Sequence, residues 1–215
     1  MPHFNGFVPA QAQAAHKHPV STMSKMRRRA VLASLWVGLC GLGIPTWAAT
    51  TQTLLVVGDS LSAEYGLKRG TGWVALLGQR LTQTHPNIEI VNASISGDTT
   101  AGGKSRLPAL LKQHKPRWVI VELGGNDALR GLPLEMTQNN LSEMAASAKA
   151  SGAKVLIVGM QMPPNYGPQY AQTFAQLFAR VANAQKTALV PFLLDKVMQH
   201  PEPLSLFQAD RIHPN

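Results

Sequence analysis

The chain of 215 residues contains a single cysteine, Cys40, which lies in an apolar stretch near its beginning. The sequence after residue 48 therefore has no disulfide, no thiol nucleophile and no cysteine-based metal site. Paired spacing typical of metal ligands is also missing among the four histidines of this part, His85, His114, His200 and His213. We expect neither a metal nor another cofactor.

Acidic residues are absent from residues 1–48, which contain five Lys or Arg. The whole chain carries a net charge of +9, but the part after residue 48 has 15 basic against 11 acidic residues, a net charge of +4. More than half of the excess charge thus belongs to the beginning of the chain. Because the remaining balance is ordinary for a protein surface, we expect no nucleic-acid partner.

Residues 26–48 have the three parts of a secretory signal peptide: a basic cluster, an apolar stretch and small residues before a cleavage site. The apolar stretch has about 15 residues, fewer than the roughly 20 that cross a bilayer, and no longer one follows. The pattern predicts a periplasmic or secreted protein without a stable membrane span after cleavage. The pair Arg28-Arg29 leaves the general and the twin-arginine export routes open. We interpret residues 1–25 as an extension before the true start and residues 49–215 as the mature domain.

Short apolar runs alternate with longer amphipathic ones from residue 53 onwards. The predicted strands are residues 54–57, 88–92, 118–123, 154–159 and 189–194. The predicted helices are residues 73–81, 105–114, 136–149 and 169–185. Since the strands are continuous runs of Val, Ile and Leu, both faces of the sheet are expected to be covered by helices. The sequence predicts one α/β domain with three layers, α/β/α, around a parallel sheet of four to five strands.

Polar residues that could carry chemistry follow these strands, at the sheet edge where such folds gather their reactive groups. Ser60 follows the first strand, before an expected turn into a helix, although a serine there is also typical of a helix cap. A serine hydroxyl becomes a nucleophile only when a base takes its proton. Asp210 and His213 are spaced so that the carboxylate can orient the imidazole.

An acyl-transfer site also needs hydrogen-bond donors for the negative oxygen of the tetrahedral intermediate. The candidates are the backbone N–H groups of Ser60 and Gly97 and the side-chain amide of Asn126. Each residue alone is typical of an ordinary turn. Ser, Gly, Asn and His in this order on successive strand ends together predict a serine esterase.

With these motifs the chain resembles the SGNH or GDSL hydrolases, in particular their bacterial periplasmic arylesterase, thioesterase and lysophospholipase group. The resemblance runs from about residue 53 to the end of the chain. Its motifs are residues 58–62, 96–100, 124–127 and 159–164, and Asp210 with His213. It implies a flavodoxin-like SGNH fold with Ser60 as the nucleophile and Gly97 and Asn126 completing the oxyanion hole. It also implies that Asp210 and His213 complete the triad.

Two departures from the family pattern stand near His213. Arg211 occupies a position where relatives usually have glycine, and we expect it to strain the turn or to lower the proton affinity of the imidazole. Relatives also continue through a last helix that packs on the sheet, which this chain is expected to lack. A version extended by such a helix is predicted to be more stable and more active.

The sequence predicts the type of reaction but leaves several classes of substrate open. Apolar residues on the loops after the third and fourth strands are candidates for an acyl pocket, and packing beneath these loops would explain them equally well. They are Leu129, Leu132, Met160, Met162 and Tyr166. Aryl esters, short-chain esters, acyl thioesters and lysophospholipids all stay open, and we expect a monomer acting on a small acyl ester or thioester.

Two other functions are compatible with parts of the sequence, a noncatalytic binding module and a nucleotide-binding protein. A noncatalytic or decayed hydrolase could use the same fold as a binding module. Residues 97–105 weakly resemble a phosphate-binding loop, but Asp98 stands where that motif needs glycine.

Overall fold

A computed structural model describes residues 50–215 of the chain. Its strands are β1 (Gln52–Gly58), β2 (Ile88–Asn92), β3 (Trp118–Glu122), β4 (Lys154–Val158) and β5 (Ala188–Val190). Its α-helices are α1 (Trp73–Thr84), α2 (Thr100–His114), α3 (Gly125–Leu129), α4 (Leu134–Ala150), α5 (Pro168–Gln185) and α6 (Asp195–Met198). Short 3₁₀ turns lie at Pro164–Tyr166 and Pro203–Leu206. Cys40, residues 1–25 and the predicted signal peptide lie outside the described residues.

The strands of this part form one parallel sheet in the order β2-β1-β3-β4-β5. The predicted α/β fold is thereby confirmed. The chain crosses from one side of β1 to the other between β2 and β3, so the topological switch point lies between β1 and β3. Leu55 pairs with Val119 and Val57 pairs with Val121. This register brings the residues after β1 next to the residues after β3.

Alternate residues of the central strands enter two separate cores, one on each face of the sheet. Leu55, Val57 and Val121 are fully buried in the larger core, together with apolar side chains of α2, α4 and α5. Val56 and Ile120 face the smaller core, where α1 contributes Val74. The helices on both faces explain why these strands contain consecutive apolar residues. Within residues 50–215, no helix combines the length and the apolar character needed to cross a bilayer.

The largest differences from the predicted element boundaries are at the beginning of α2 and the end of β5. Helix α2 begins at Thr100 instead of residue 105, because the Thr99 side chain accepts a hydrogen bond from the Gly102 N–H and caps the helix earlier. Strand β5 ends at Val190, where Pro191 has no N–H to continue the ladder. Ser60 is followed by successive turns, and the next helix begins only at Trp73.

Candidate active site

Ser60 lies in a tight turn directly beyond the carboxyl end of β1. The backbone N–H groups of Ser62 and Ala63 both donate to the Asp59 carbonyl, at 3.2 and 2.9 Å, and the Tyr65 N–H donates to the Ser60 carbonyl at 3.2 Å. These bonds fix the backbone on both sides of the serine. The nucleophile candidate therefore sits on a rigid element at the switch point of the sheet.

His213 contacts both of its predicted partners. Its Nε2 lies 2.7 Å from the Ser60 Oγ, and its Nδ1 lies 2.7 Å from the Asp210 Oδ2. The serine and the histidine are separated by 153 residues in the chain. The structure thus brings together the three side chains that the sequence singled out, in the order serine, imidazole, carboxylate that activates a hydroxyl.

The Asp210 carboxylate is held by the turn that it begins. Its Oδ1 accepts hydrogen bonds from the backbone N–H of Ile212 at 2.9 Å and of His213 at 3.0 Å. These backbone bonds, more than the imidazole itself, lower the pKa of Asp210 to about 2. The carboxylate is therefore charged at neutral pH and can stabilise an imidazolium on His213.

The loop that carries His213 is attached to the serine turn by Gln208. The Gln208 Nε2 donates to the Tyr65 carbonyl at 2.9 Å and to the Pro214 carbonyl at 3.0 Å. The Gln208 backbone N–H also donates to the His213 carbonyl at 2.8 Å. Gly66 leaves room for this side chain, because a Cβ at that position would lie 2.1 Å from the Gln208 Oε1.

Tyr65 also contacts the imidazole directly. The centroids of the Tyr65 and His213 rings are 4.6 Å apart and the ring planes are inclined by 43°. Neither Tyr65 nor Gln208 is among the site residues predicted from the sequence. Both contacts join residues that lie far apart in the chain, so spacing along the sequence gave no signal for them.

Arg211 adopts the left-handed backbone conformation, with φ of 58°. A residue with a Cβ is strained in this region, and glycine is not. The expected strain in the turn between Asp210 and His213 is therefore present in the structure.

The predicted oxyanion residues lie on neighbouring strand ends. Gly97 follows β2 with φ of 79°, and its carbonyl accepts a hydrogen bond from the Arg130 Nη2 at 2.8 Å. Asn126 lies in the short helix α3 after β3, and its Nδ2 donates to the Asp59 Oδ2 at 3.1 Å. Because the amide nitrogen has two hydrogens, this bond orients the second one without using it.

Two buried acids lie beneath the serine turn. Asp59 is 2% exposed and Glu122, the last residue of β3, is fully buried. Burial raises the pKa of Asp59 to about 6, although the Leu61 N–H and the Asn126 amide both donate to its carboxylate. Burial also raises the pKa of Glu122, and the neighbouring Asp59 raises it further. An acid at the end of an apolar strand was the available signal for Glu122.

A third buried acid joins the loop after β3 to the beginning of α2. The Asp127 carboxylate accepts the Thr100 N–H at 2.8 Å and the Thr100 hydroxyl. The Asn140 amide of α4 donates to the same hydroxyl at 3.0 Å. A carboxylate at a helix N-terminus is favourable, and here it fixes the helix that follows Gly97 relative to Asn126.

The segment that resembles a phosphate-binding loop is used differently. Asp98 forms an ion pair with Arg106 at 2.8 Å, and Lys104 lies inside α2, where its Nζ is 3.2 Å from a carboxylate oxygen of Glu143. A phosphate-binding lysine would instead have to face the loop. Among residues 50–215, no three His, Asp or Glu side chains cluster closely enough to hold a metal ion.

The five predicted pocket residues differ in their surroundings. Met160 and Met162 are buried in the larger core, where the packing explanation applies, and Leu129 packs partly against the same core. Leu132 is half-buried, and Tyr166 is 40% exposed. Tyr166 is thus the member of the set most accessible to a ligand.

Comparison with known proteins agrees with this geometry. The model of the GDSL-like lipase/acylhydrolase family matches residues 56–215. Esterase TesA of Pseudomonas aeruginosa is 53% identical over 188 residues, which cover 86% of this chain and 90% of that protein. Thioesterase 1/protease 1/lysophospholipase L1 of Escherichia coli K12 is 44% identical over 168 residues, which cover 78% of each.

Solved structures show the same relationship. The crystal structure of TesA aligns with a TM-score of 0.72 and 55% identity, covering 76% of this chain and 89% of that one. The crystal structure of the psychrotrophic esterase EstA from Pseudoalteromonas, inhibited by monoethylphosphonate, aligns with a TM-score of 0.71 and 38% identity, covering 76% and 88%. The resemblance seen in the sequence is confirmed: the chain belongs to the GDSL-like lipase/acylhydrolase family, whose chemistry is the hydrolysis of ester bonds.

Proposed function

We propose that this chain is a serine hydrolase of small carboxylic esters and thioesters that works through an acyl intermediate on Ser60. The position of His213 carries the proposal, since its two ring nitrogens lie 2.7 Å from the Ser60 hydroxyl and 2.7 Å from the Asp210 carboxylate. The names of the relatives, which include esterase, thioesterase and arylesterase, support the same substrate class.

The reaction proceeds in two halves. In the first, His213 Nε2 takes the proton of the Ser60 hydroxyl as Oγ attacks the carbonyl carbon, and the imidazolium then gives this proton to the leaving alcohol or thiol. In the second, His213 takes a proton from water, which attacks the acyl-serine, and returns it to the Ser60 Oγ as the acid leaves. The charged Asp210 stabilises the imidazolium in both halves.

The negative oxygen of each tetrahedral intermediate needs donors that are already in place. We assign this role to the backbone N–H groups of Ser60 and Gly97 and to the second amide hydrogen of Asn126. The bond from Asn126 to Asp59 and the bond from Arg130 to the Gly97 carbonyl support the assignment, because they fix both loops before substrate arrives.

Covalent labelling of the serine tests the proposal. A fluorophosphonate probe is expected to label the wild-type protein and not the Ser60→Ala variant. The control is Ser105→Ala, which changes an exposed serine of α2 and is expected to be labelled like the wild type. An unlabelled but folded wild-type protein would contradict the proposal and favour the noncatalytic binding module. The circular dichroism spectrum and melting temperature of each variant establish that it is folded.

Substrate preference within this class is measured by a chain-length series of p-nitrophenyl esters beside one acyl thioester. If Tyr166 contributes to an acyl pocket, Tyr166→Ala raises KM for the longer esters and leaves the acetate ester unaffected. The buried Met160 and Met162 are unsuited to this comparison, because their truncation would destabilise the core.

We also propose that the protein is exported and acts as a monomer. The signal-peptide pattern of residues 26–48 supports export. Mass determination of the protein recovered from the periplasm or medium tests cleavage near residue 48. Light scattering of the purified protein tests the monomer.

A further inference from the structure

Glu122 is the least expected side chain near the site. It ends an apolar strand, it is fully buried, and its Oε1 has no hydrogen-bond partner among the described residues. A buried carboxyl group normally has partners for both oxygens, because the isolated charge is costly away from water. The triad and the oxyanion donors do not include this residue.

The other oxygen of Glu122 is bonded to the serine turn. Its Oε2 lies 2.6 Å from the Ser62 Oγ and 3.4 Å from the backbone nitrogen of Asp59. These two residues flank Ser60 and its neighbour Leu61. Glu122 therefore contacts the turn that carries the nucleophile on both sides of it.

Gly58 is explained by the same contact. A Cβ at this position would lie 2.6 Å from the Ser62 Oγ and 2.8 Å from the Glu122 Oε2. No side chain fits without displacing the pair. The first glycine of the motif at residues 58–62 thus leaves space for the bond between Ser62 and Glu122.

Asp59 connects this network to Asn126, the proposed oxyanion donor. Its backbone faces Glu122, while its carboxylate accepts hydrogen bonds from the Leu61 N–H and the Asn126 amide, each at 3.1 Å. A change in the position of Asp59 would move both the serine turn and the orienting partner of Asn126. Glu122 is therefore connected to two of the elements that the reaction uses.

Within residues 50–215, no cationic side chain is bonded to Glu122. Asp59 is the nearest acid, and Asp98 and His213 act electrostatically on Asp59. Arg106 approaches from α2, but its guanidinium contacts Asp98 and the carbonyls of Ala93 and Gly58. With Asp59 as its neighbour, a second buried negative charge at Glu122 would be opposed by repulsion as well as by burial.

We propose that Glu122 is a positioning residue, held as a neutral carboxylic acid, that anchors the Asp59–Ser62 turn and through Asp59 the amide of Asn126. It touches neither substrate nor the reacting atoms. This role rests on the proposed esterase function, since it acts through the serine turn and the oxyanion donor.

Two replacements separate a neutral anchor from a charged one. Glu122→Gln keeps the shape and an acceptor oxygen without an ionisable group, whereas Glu122→Leu removes the bond to Ser62. We expect E122L to lower kcat by about 10- to 100-fold with little change in KM, as for a small displacement of reacting groups. E122Q is expected to keep most of the wild-type kcat. If E122Q and E122L lose kcat equally, the proposal of a neutral acid is wrong.

A double-mutant cycle tests the route through Ser62. Ser62→Ala is expected to lower kcat in the wild type and to add little in the E122L background, because the shared contact is already lost. If the effects of Ser62→Ala and E122L on kcat simply multiply in the double mutant, Glu122 does not act through Ser62. If E122L does not fold, the cycle is run with E122Q, where Ser62→Ala is expected to have its wild-type effect.

The protonation state is measured without any turnover. In protein labelled with ¹³C at glutamate carboxyl groups, the signal absent from E122Q is expected at the position of a protonated acid at pH 7. A signal at the carboxylate position at pH 7 would overturn the proposal. An inactive wild-type protein with a protonated Glu122 would instead refute the esterase function alone.

Discussion

Arg211 offers a direct test of how this chain departs from its relatives. Its φ of 58° places a residue with a Cβ in the left-handed region, between two members of the triad. Such a conformation costs roughly 1–2 kcal/mol for a residue other than glycine. Glycine would relieve this strain, while its greater freedom in the unfolded chain costs up to about 1 kcal/mol. Arg211→Gly is therefore expected to raise the free energy of unfolding by about 0.5–1 kcal/mol.

For a domain of this size, that gain corresponds to an increase of about 1–4 °C in melting temperature. Calorimetry of Arg211→Gly beside Arg211→Ala isolates the cause, because both changes remove the cation and only the alanine keeps the strain. Lys186, at the end of α5 with φ of 51°, supplies a second control. Lys186→Gly is expected to stabilise the protein without changing kcat. Equal melting temperatures for Arg211→Gly and Arg211→Ala would refute the argument from strain.

Three further changes address the site. Asn126→Ala removes one proposed oxyanion donor and is expected to lower kcat about 10²- to 10³-fold, and an unchanged kcat would exclude that role. Gln208→Ala removes two hydrogen bonds that hold the histidine loop and should cost about 1–2 kcal/mol of stability, whereas Gln199→Ala, at the exposed residue that follows α6, should cost little. Asp210 has a lowered pKa, so the stability lost in Asp210→Asn should be present above pH 4 and shrink as the pH falls towards 2; a difference independent of pH would contradict this.

The proposed triad was predicted from two short motifs, of which only the one that contains Ser60 directly follows a strand. Parallel strands bring their carboxyl ends to one edge whichever order the strands take, so Ser60 and Asn126 were expected at the same edge of the sheet. Asp210 and His213 lie on one turn, and a spacing of three residues is enough to predict their contact. Strain at Arg211 was one of two expectations drawn from the glycine that relatives usually have there, and the φ of 58° supports it.

The substrate pocket was predicted less well for a physical reason. Apolar residues on loops serve equally in packing and in binding, and only their burial separates the two uses. The structure places Met160 and Met162 within the core and leaves Tyr166 accessible. Local sequence does not contain this information, because burial depends on which helices cover the loop.

By itself the sequence determined the α/β class and the parallel sheet and indicated the three side chains of the proposed triad, because apolar periodicity and short motifs are local properties of a chain. Only the tertiary structure decided which side chains support them. Ser62 and Glu122 are 60 residues apart, and Gln208 and Tyr65 are 143 residues apart. Such contacts depend on strand order and on the packing of whole loops, which no local pattern specifies.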